Sequence, residues 1–251
     1  MLALRRLTPL GLLLGLLVLW QFGWTSGRPE YVLPPSEIVR EFLAALASGE
    51  LLTHLSASLL RSVPGFLVGT GLGIALGLLA GVARGVDEML SPLIFLTYPV
   101  PKIILLPIVM VWFGIGDLSK VIIIALACFY PAFINAYYGA RATPTILVWS
   151  GLNMGAGRAR IFRKVVFPSA LPLIFAGVRV SLALSFVLLF AAEMINARSG
   201  LGYLIKQSEN SLRFDLMYTA IVAIGIAGYL SDSLLRLARR RVLAWHEAPS
   251  A

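Results

Sequence analysis

Six stretches of this chain are long and apolar enough to cross a lipid bilayer, and no other feature limits its fold so severely. A spanning helix needs about 20 mostly apolar residues. The candidates run from Thr8 to Trp24, Leu59 to Val82, Pro92 to Phe113, Val121 to Tyr138, Leu171 to Ala192 and Leu216 to Leu234. Lipid offers no partner for backbone N–H and C=O groups, so such stretches fold as helices. Charged residues are only 13% of the 251, too few to coat a water-exposed surface of this size. This excludes a soluble globular enzyme, a disordered chain and a nucleic-acid-binding domain. The expectation is an all-α integral membrane protein with six transmembrane helices.

The first candidate follows Arg5 and Arg6 and ends in Trp20, Phe22 and Trp24. A signal peptide would begin similarly, but no small-x-small cleavage site follows, and the aromatic end resembles an interfacial belt. A retained helix is expected. Residues 25–58 are more polar and carry Pro29, Pro34 and Pro35. Ser36 could cap a short amphipathic helix that ends near Gly49, too short and charged to span and suited to the membrane surface. The third candidate holds Pro92, Pro99, Pro101 and Pro107. Each interior proline removes a backbone bond, so this span cannot be straight, and broken spans face protein or a water-filled path.

Charge gives the orientation. With a cytoplasmic N-terminus, the inner segments hold Arg5, Arg6, Arg84, Arg141, Arg158, Arg160, Arg163, Lys164, Arg236, Arg239, Arg240 and Arg241. The outer segments hold fewer cations, offset by Glu30, Glu37, Glu41, Glu50, Asp117, Glu209 and Asp215. The positive-inside rule therefore puts both termini in the cytoplasm. The net charge of +9 follows from the same rule, and the arginines after the last span read as a stop signal.

Several local features could carry function. Gly65, Gly69, Gly73, Gly77 and Gly81 recur every four residues, with Gly85 extending the series. This smooth stripe suits tight packing within one subunit, or a surface that slides or self-associates. The segment from about 139 to 170 holds five cations and no acid. It is far longer than a turn requires, which suits a docking element or a basic loop touching anionic lipid. Lys102 and Glu193 are deep charges, expensive in lipid. They suit a structural Lys–Glu pair or snorkelling, or a path in which Lys102 offers positive potential to an anion. Arg179 has the same two readings and lies nearer the cytoplasmic end. Asn196 opens an outer segment with Gly200 and Gly202. Cys128 is single and His54 lies far from His246, so neither a disulfide framework nor a metal site is expected.

The stretch Gly155-Ala156-Gly157-Arg158-Ala159-Arg160-Ile161-Phe162-Arg163-Lys164-Val165-Val166-Phe167-Pro168-Ser169-Ala170-Leu171-Pro172 resembles the second half of the "EAA" loop of permease subunits of binding-protein-dependent ABC importers. Gly155 matches the loop's glycine, and Pro168 and Pro172 its proline-rich end. Trp149, Ser150 and Gly151 stand where Glu-Ala-Ala would be. Tyr98-Pro99-Val100-Pro101-Lys102, Trp112-Phe113-Gly114-Ile115-Gly116, and Ala192-Glu193-Met194 with Ser199-Gly200-Leu201-Gly202-Tyr203 narrow the likeness to the nitrate, sulfonate and taurine group. It covers roughly Thr53 to Trp245.

The resemblance implies a type I ABC importer permease fold in a bacterial inner membrane. It implies residues 1–52 as an N-terminal helix and linker, 53–238 as the permease core and 239–251 as a basic tail. A second copy would complete a homodimer. Two ATP-binding subunits would dock on the coupling loop through Gly151, Gly155, Ala156, Arg158, Arg160, Arg163, Pro168 and Pro172. An extracytoplasmic binding protein, periplasmic or lipid-anchored, would deliver a small anion near Lys102, Glu193 and Asn196. A short helix inside Leu147 to Lys164 would seat in the ATPase, ended by Pro168 and Pro172. No cofactor is expected in this chain: it has no Gly-Lys dipeptide and hence no P-loop, so ATP and Mg belong to the partner. A thiamine precursor or an aromatic acid is the alternative cargo. An ion-driven secondary transporter is the rival, but no clear internal repeat or paired deep carboxylate supports it. A membrane scaffold would need neither a broken span nor Lys102, and a membrane enzyme lacks a cluster of nucleophile, base and ligands.

Overall fold

The computed structural model describes residues 2–23, 29 and 31–244. Trp24, Glu30, Trp245, His246 and the rest of the tail lie outside the described residues. The helices are α1 (Leu2–Phe22), α2 (Pro35–Ala47), α3 (Glu50–Val82), α4 (Arg84–Thr97), α5 (Leu106–Phe113), α6 (Asp117–Arg141), α7 (Thr145–Asn153), α8 (Arg158–Ile161), α9 (Phe167–Asn196), α10 (Leu201–Asn210) and α11 (Phe214–Val242). A 3₁₀ turn (Lys102–Leu105) precedes α5, and a π-helical turn (Phe162–Val166) joins α8 to α9. No strand occurs among the described residues.

Four continuous helices are long and apolar enough to span: α3, α6, α8 through α9, and α11. The pair α4–α5 is apolar enough for a fifth span when the two helices are taken together, and it is bent by 93° at the break that holds Pro99 and Pro101. Among the described residues these do not reach the expected six. The remaining candidate maps to α1, a 21-residue helix held to the body by Gln21, which exchanges hydrogen bonds of 2.9 and 3.1 Å with Ser36. Trp20 packs against Tyr218 of α11.

Ser36 does not cap α2, contrary to expectation. The helix starts at Pro35 with Pro34 before it, since proline's fixed φ suits a first turn and its missing N–H costs nothing there. Ser36 serves Gln21 instead. Helices α3 and α11 are continuous across residues 52–53 and 238–239.

Helix α6 is the centre of the bundle: Ile123, Ile124, Cys128, Ala132, Phe133 and Ala136 are fully buried. The glycine stripe of α3 lies against it. A Cβ at Gly65 would meet Ile124, one at Gly73 the Phe129 carbonyl, and one at Gly81 the Ala140 methyl at 2.6 Å. Contacts advance together along both helices, so α3 and α6 run parallel. Gly85 does not extend this packing: α3 ends at Val82, and nothing lies within 4 Å of a Cβ at Gly85. On the other side α9 packs antiparallel. Ser181 Oγ donates to the Cys128 carbonyl at 2.7 Å, and Cys128 Sγ to the Ser181 carbonyl at 3.3 Å.

Candidate functional site

The chain directions place three sites along the bundle. At one end lie the start of α3, the start of α6, the end of α9 and α10. Here Arg61 and Glu193 form a buried ion pair, Nη1 to Oε1 at 2.6 Å, with whole-residue exposures of 4% and 1%. Arg61 also donates through Nε to Asp117 at 2.6 Å, and to the Ser199 carbonyl and hydroxyl at 2.7 and 2.9 Å. Glu193 further accepts from the Ser58 hydroxyl at 3.0 and 2.9 Å and from the Gly202 N–H at 2.9 Å. Ser58 Oγ in turn accepts from the Leu201 N–H, and His54 Nδ1 from the Gly200 N–H at 3.1 Å. Both charges are thus fully partnered, as burial demands.

This clamp explains two glycines. Gly200 has φ +116 and ψ 163, a region closed to side chains, and a Cβ there would overlap the Glu193 carboxylate. A Cβ at Gly202 would meet Glu193 Cβ at 2.8 Å. Helix α10 is therefore pressed onto the ends of α3 and α9. Asn196 stays outside the clamp, exposed beside a small polar cavity shared with Tyr203, Lys206, Gln207 and Asn210.

The second site is the break in the α4–α5 span. Lys102 does not pair with Glu193. Its Nζ donates to the carbonyls of Thr97, Tyr98 and Val100 at 2.8, 3.1 and 2.7 Å. It also sits 3.9 Å above the centroid of the Tyr130 ring. The Tyr130 hydroxyl donates to Thr97 Oγ1 at 3.0 Å.

The third site is the loop at the opposite end. Helix α7 is closed by a Schellman turn: Ala156 N–H reaches the Gly151 carbonyl at 3.0 Å, and Gly155 N–H the Leu152 carbonyl at 2.9 Å. The turn requires a left-handed residue, and Gly155 supplies it at φ +76 with nothing within 4 Å of its missing Cβ. Its need is conformational rather than steric. Gly151 packs on Ile161, and Ala156 on the cluster that includes Ile161 and Val166. Ile146, Leu147, Trp149, Leu152 and Met154 remain exposed, Met154 at 84% and Trp149 at 62%. Arg158, Arg160, Arg163 and Lys164 are exposed with no ion pair among the described residues. An open groove lined by Arg84, Asp87, Arg141, Val148 and Arg158 runs beside α7.

Pro168 and Pro172 do not end a loop helix. Pro168 sits in the first turn of α9 and Pro172 inside it, and the helix continues across both. The π turn makes this possible. Phe167 N–H bonds back five residues to Phe162, so the register shifts before Pro168, which has no N–H to give. Arg179 is neither free nor merely snorkelling. It donates to Asp232 of α11 at 2.8 and 3.2 Å, and Asp232 also takes Arg236.

The sequence reading missed Arg61, the hub of the buried clamp. The signal was available, because Arg61 interrupts an apolar run four residues before Gly65 and so shares the face of the glycine stripe. Ser58 lies on that face too.

The chain is similar to known proteins in sequence and in fold. Residues 73–244 match the family described as "Binding-protein-dependent transport system inner membrane component". The putative aliphatic sulfonates transport permease protein SsuC of Bacillus subtilis (strain 168) is 34% identical over 235 residues, covering 93% of this chain and 85% of the relative. The taurine transport system permease protein TauC of Escherichia coli (strain K12) is 34% identical, covering 94% and 89%. The riboflavin transport system permease protein RibX of Chloroflexus aurantiacus is 33% identical, covering 92% and 87%. In fold, the chain is similar to one from the inward-facing MetNI methionine ABC transporter, with a TM-score of 0.56 and 23% identity over 83% of this chain and 97% of that one. With a family match over most of its length and relatives above 30% identity that it covers almost entirely, the chain belongs to the inner membrane components of binding-protein-dependent transport systems.

Proposed function

We propose that this chain is the permease subunit of an ATP-driven importer for a small anion, such as an aliphatic sulfonate, taurine or nitrate. A second copy completes the path. Each copy docks one ATP-binding subunit, which holds the ATP and Mg, on α7 and the basic turn after it. A binding protein delivers cargo at the Arg61–Glu193 end. Both termini and α7 lie in the cytoplasm, as the arginine bias indicates. The observation that carries the reading is α7. It is a nine-residue helix that rests on the bundle through Val148 and Gly151, with Ile146, Trp149 and Met154 exposed and a Schellman turn fixing its exit. An apolar face of that kind, rimmed by Arg158, Arg160, Arg163 and Lys164, suits a protein groove with an acidic edge. Trp149 would anchor it by apolar burial, where the family pattern has a carboxylate.

The sulfonate and taurine relatives support an anionic cargo. Near-equal identity to a riboflavin permease supports a second reading, an aromatic cargo, since the binding protein selects what arrives. The test is purification of the tagged chain from its host in mild detergent. An ATP-binding subunit is expected in near-equal amount, and Trp149→Asp is expected to lose it while inserting normally. A chain that came out alone and moved solute in liposomes under an ion gradient would defeat the reading.

A further inference from the structure

We propose that Lys102 is a tethered cation that holds the broken span in shape, and that it is not a ligand for the transported anion. Tyr130 lies midway along α6, thirteen residues from Asp117 and eleven from Arg141, so the break it touches sits near the middle of the bundle. Lipid supplies no donor to a carbonyl, so a carbonyl at that depth takes one from the protein or from water in a path. Pro99 and Pro101 bring no N–H to the break. The chain turns through 93° there, so the carbonyls of Thr97, Tyr98 and Val100 converge instead of aligning along a helix.

The Lys102 ammonium has three N–H bonds, and each has a carbonyl within 3.1 Å. Its remaining face is covered by the Tyr130 ring. An ammonium so engaged has no N–H left for an anion. A compact point charge on a flexible stem fits such a nest, whereas a planar guanidinium does not. Lys102 is a positioning residue: it sets the angle between α4 and α5, whose exposed faces border the path in the function proposed above.

The experiment uses the complete complex, with its ATP-binding subunit and binding protein, in proteoliposomes. Parent complex that transports anchors the comparison, and failure at that stage would count against the proposed function rather than this inference. Lys102→Met is expected to lower the maximal uptake rate by at least about tenfold, since three carbonyls lose a charged donor. The substrate concentration for half-maximal rate stays unchanged. Lys102→Arg keeps the charge but loses the nest, and is expected to fall as far. Tyr130→Leu, which removes the covering ring and the bond to Thr97, is expected to give a smaller loss that does not add to that of Lys102→Met. ATP-binding subunit must still co-purify with each variant at parent level. Tyr130→Leu keeps the test open where Lys102→Met fails to assemble, because its coupling to Lys102→Arg can be read instead. Full activity in Lys102→Arg, strict additivity with Tyr130→Leu, or a rise in the half-maximal concentration would each overturn the inference and return Lys102 to the anion.

Discussion

Glu193→Ala is expected to destabilise the folded chain by about 3–5 kcal/mol, the usual cost of breaking a buried ion pair from one side. Two local facts adjust this figure. Arg61 keeps Asp117 and both Ser199 oxygens, which lowers the cost. The Gly202 N–H loses its acceptor and Ser58 loses its carboxylate partner, which adds about 1–3 kcal/mol. The corrections oppose each other and are similar in size, so the range stands. Glu193→Gln keeps an acceptor for Gly202 and Ser58 and is expected to fall between parent and Glu193→Ala. The sharper expectation concerns the pair. Arg61→Met with Glu193→Leu removes both charges and leaves apolar groups of similar volume. Such replacements are often close to neutral, so the double variant should be more stable than Glu193→Ala alone. Asp117 tolerates this because its side chain is 68% exposed and stays hydrated. Reversible unfolding of the detergent-solubilised chain in increasing sodium dodecyl sulfate would give the free energies of these variants and of the single variants Arg61→Met and Glu193→Leu. A double variant whose loss equals the sum of the single losses would refute the reasoning, because the two charges would then not be holding each other.

Three further outcomes follow from glycine positions. Gly155→Ala is expected to cost about 1–2 kcal/mol in the turn and to reduce uptake without changing insertion, while Gly155→Asn, which tolerates left-handed backbone, retains most of it. Equal uptake loss in the two variants would contradict the conformational reading. Gly69→Ala puts a methyl 2.7 Å from Ala125 Cα, where ordinary contact begins near 3.4 Å, so α3 and α6 must separate. A loss of about 1–3 kcal/mol is expected in the same unfolding assay. Gly71→Ala, with nothing within 4 Å, should be neutral or slightly stabilising. Gly200→Ala is expected to displace the Glu193 carboxylate and approach the cost of Glu193→Ala, read by thermal inactivation of the solubilised chain.

Local rules made the fold legible. Apolar runs marked the helices, and four prolines marked the broken span. The four-residue glycine spacing marked the surface that α3 lays on α6. What escaped the sequence was the choice of partners between distant segments. Arg61 and Glu193 are 132 residues apart, and nothing in either neighbourhood names the other. Lys102 looked like the natural partner for Glu193 because both are deep charges, but depth is shared by many residues and position around a helix is not. The prolines after the basic loop misled for a different reason. A proline forbids one hydrogen bond and not a helix, and a π turn before Pro168 moves the register so that little is lost. Pattern reading sees the missing donor but not the turn that makes it harmless.

The same turn has a mechanical consequence. Because α8, the π turn and α9 form one unbroken helix of 39 residues, a rod of about 58 Å joins the basic turn to the Arg61–Glu193 clamp. Helix α7 is not part of that rod. Between Asn153 and Arg158 the chain leaves the helical path, and Gly155 and Gly157 lie in the interval. Gly151 rests on Ile161 of α8, so α7 lies against the base of the rod while remaining joined to it through residues of little steric demand. Any push on α7 must therefore reach the clamp end either by tilting the whole rod or by spending itself in the Gly155 turn. A turn held by two hydrogen bonds and a left-handed glycine is stiff only while both bonds persist. Under the function proposed above, a substitution with open space around it is still expected to cost transport, because Gly155 would set how much of a displacement at α7 arrives at the other end.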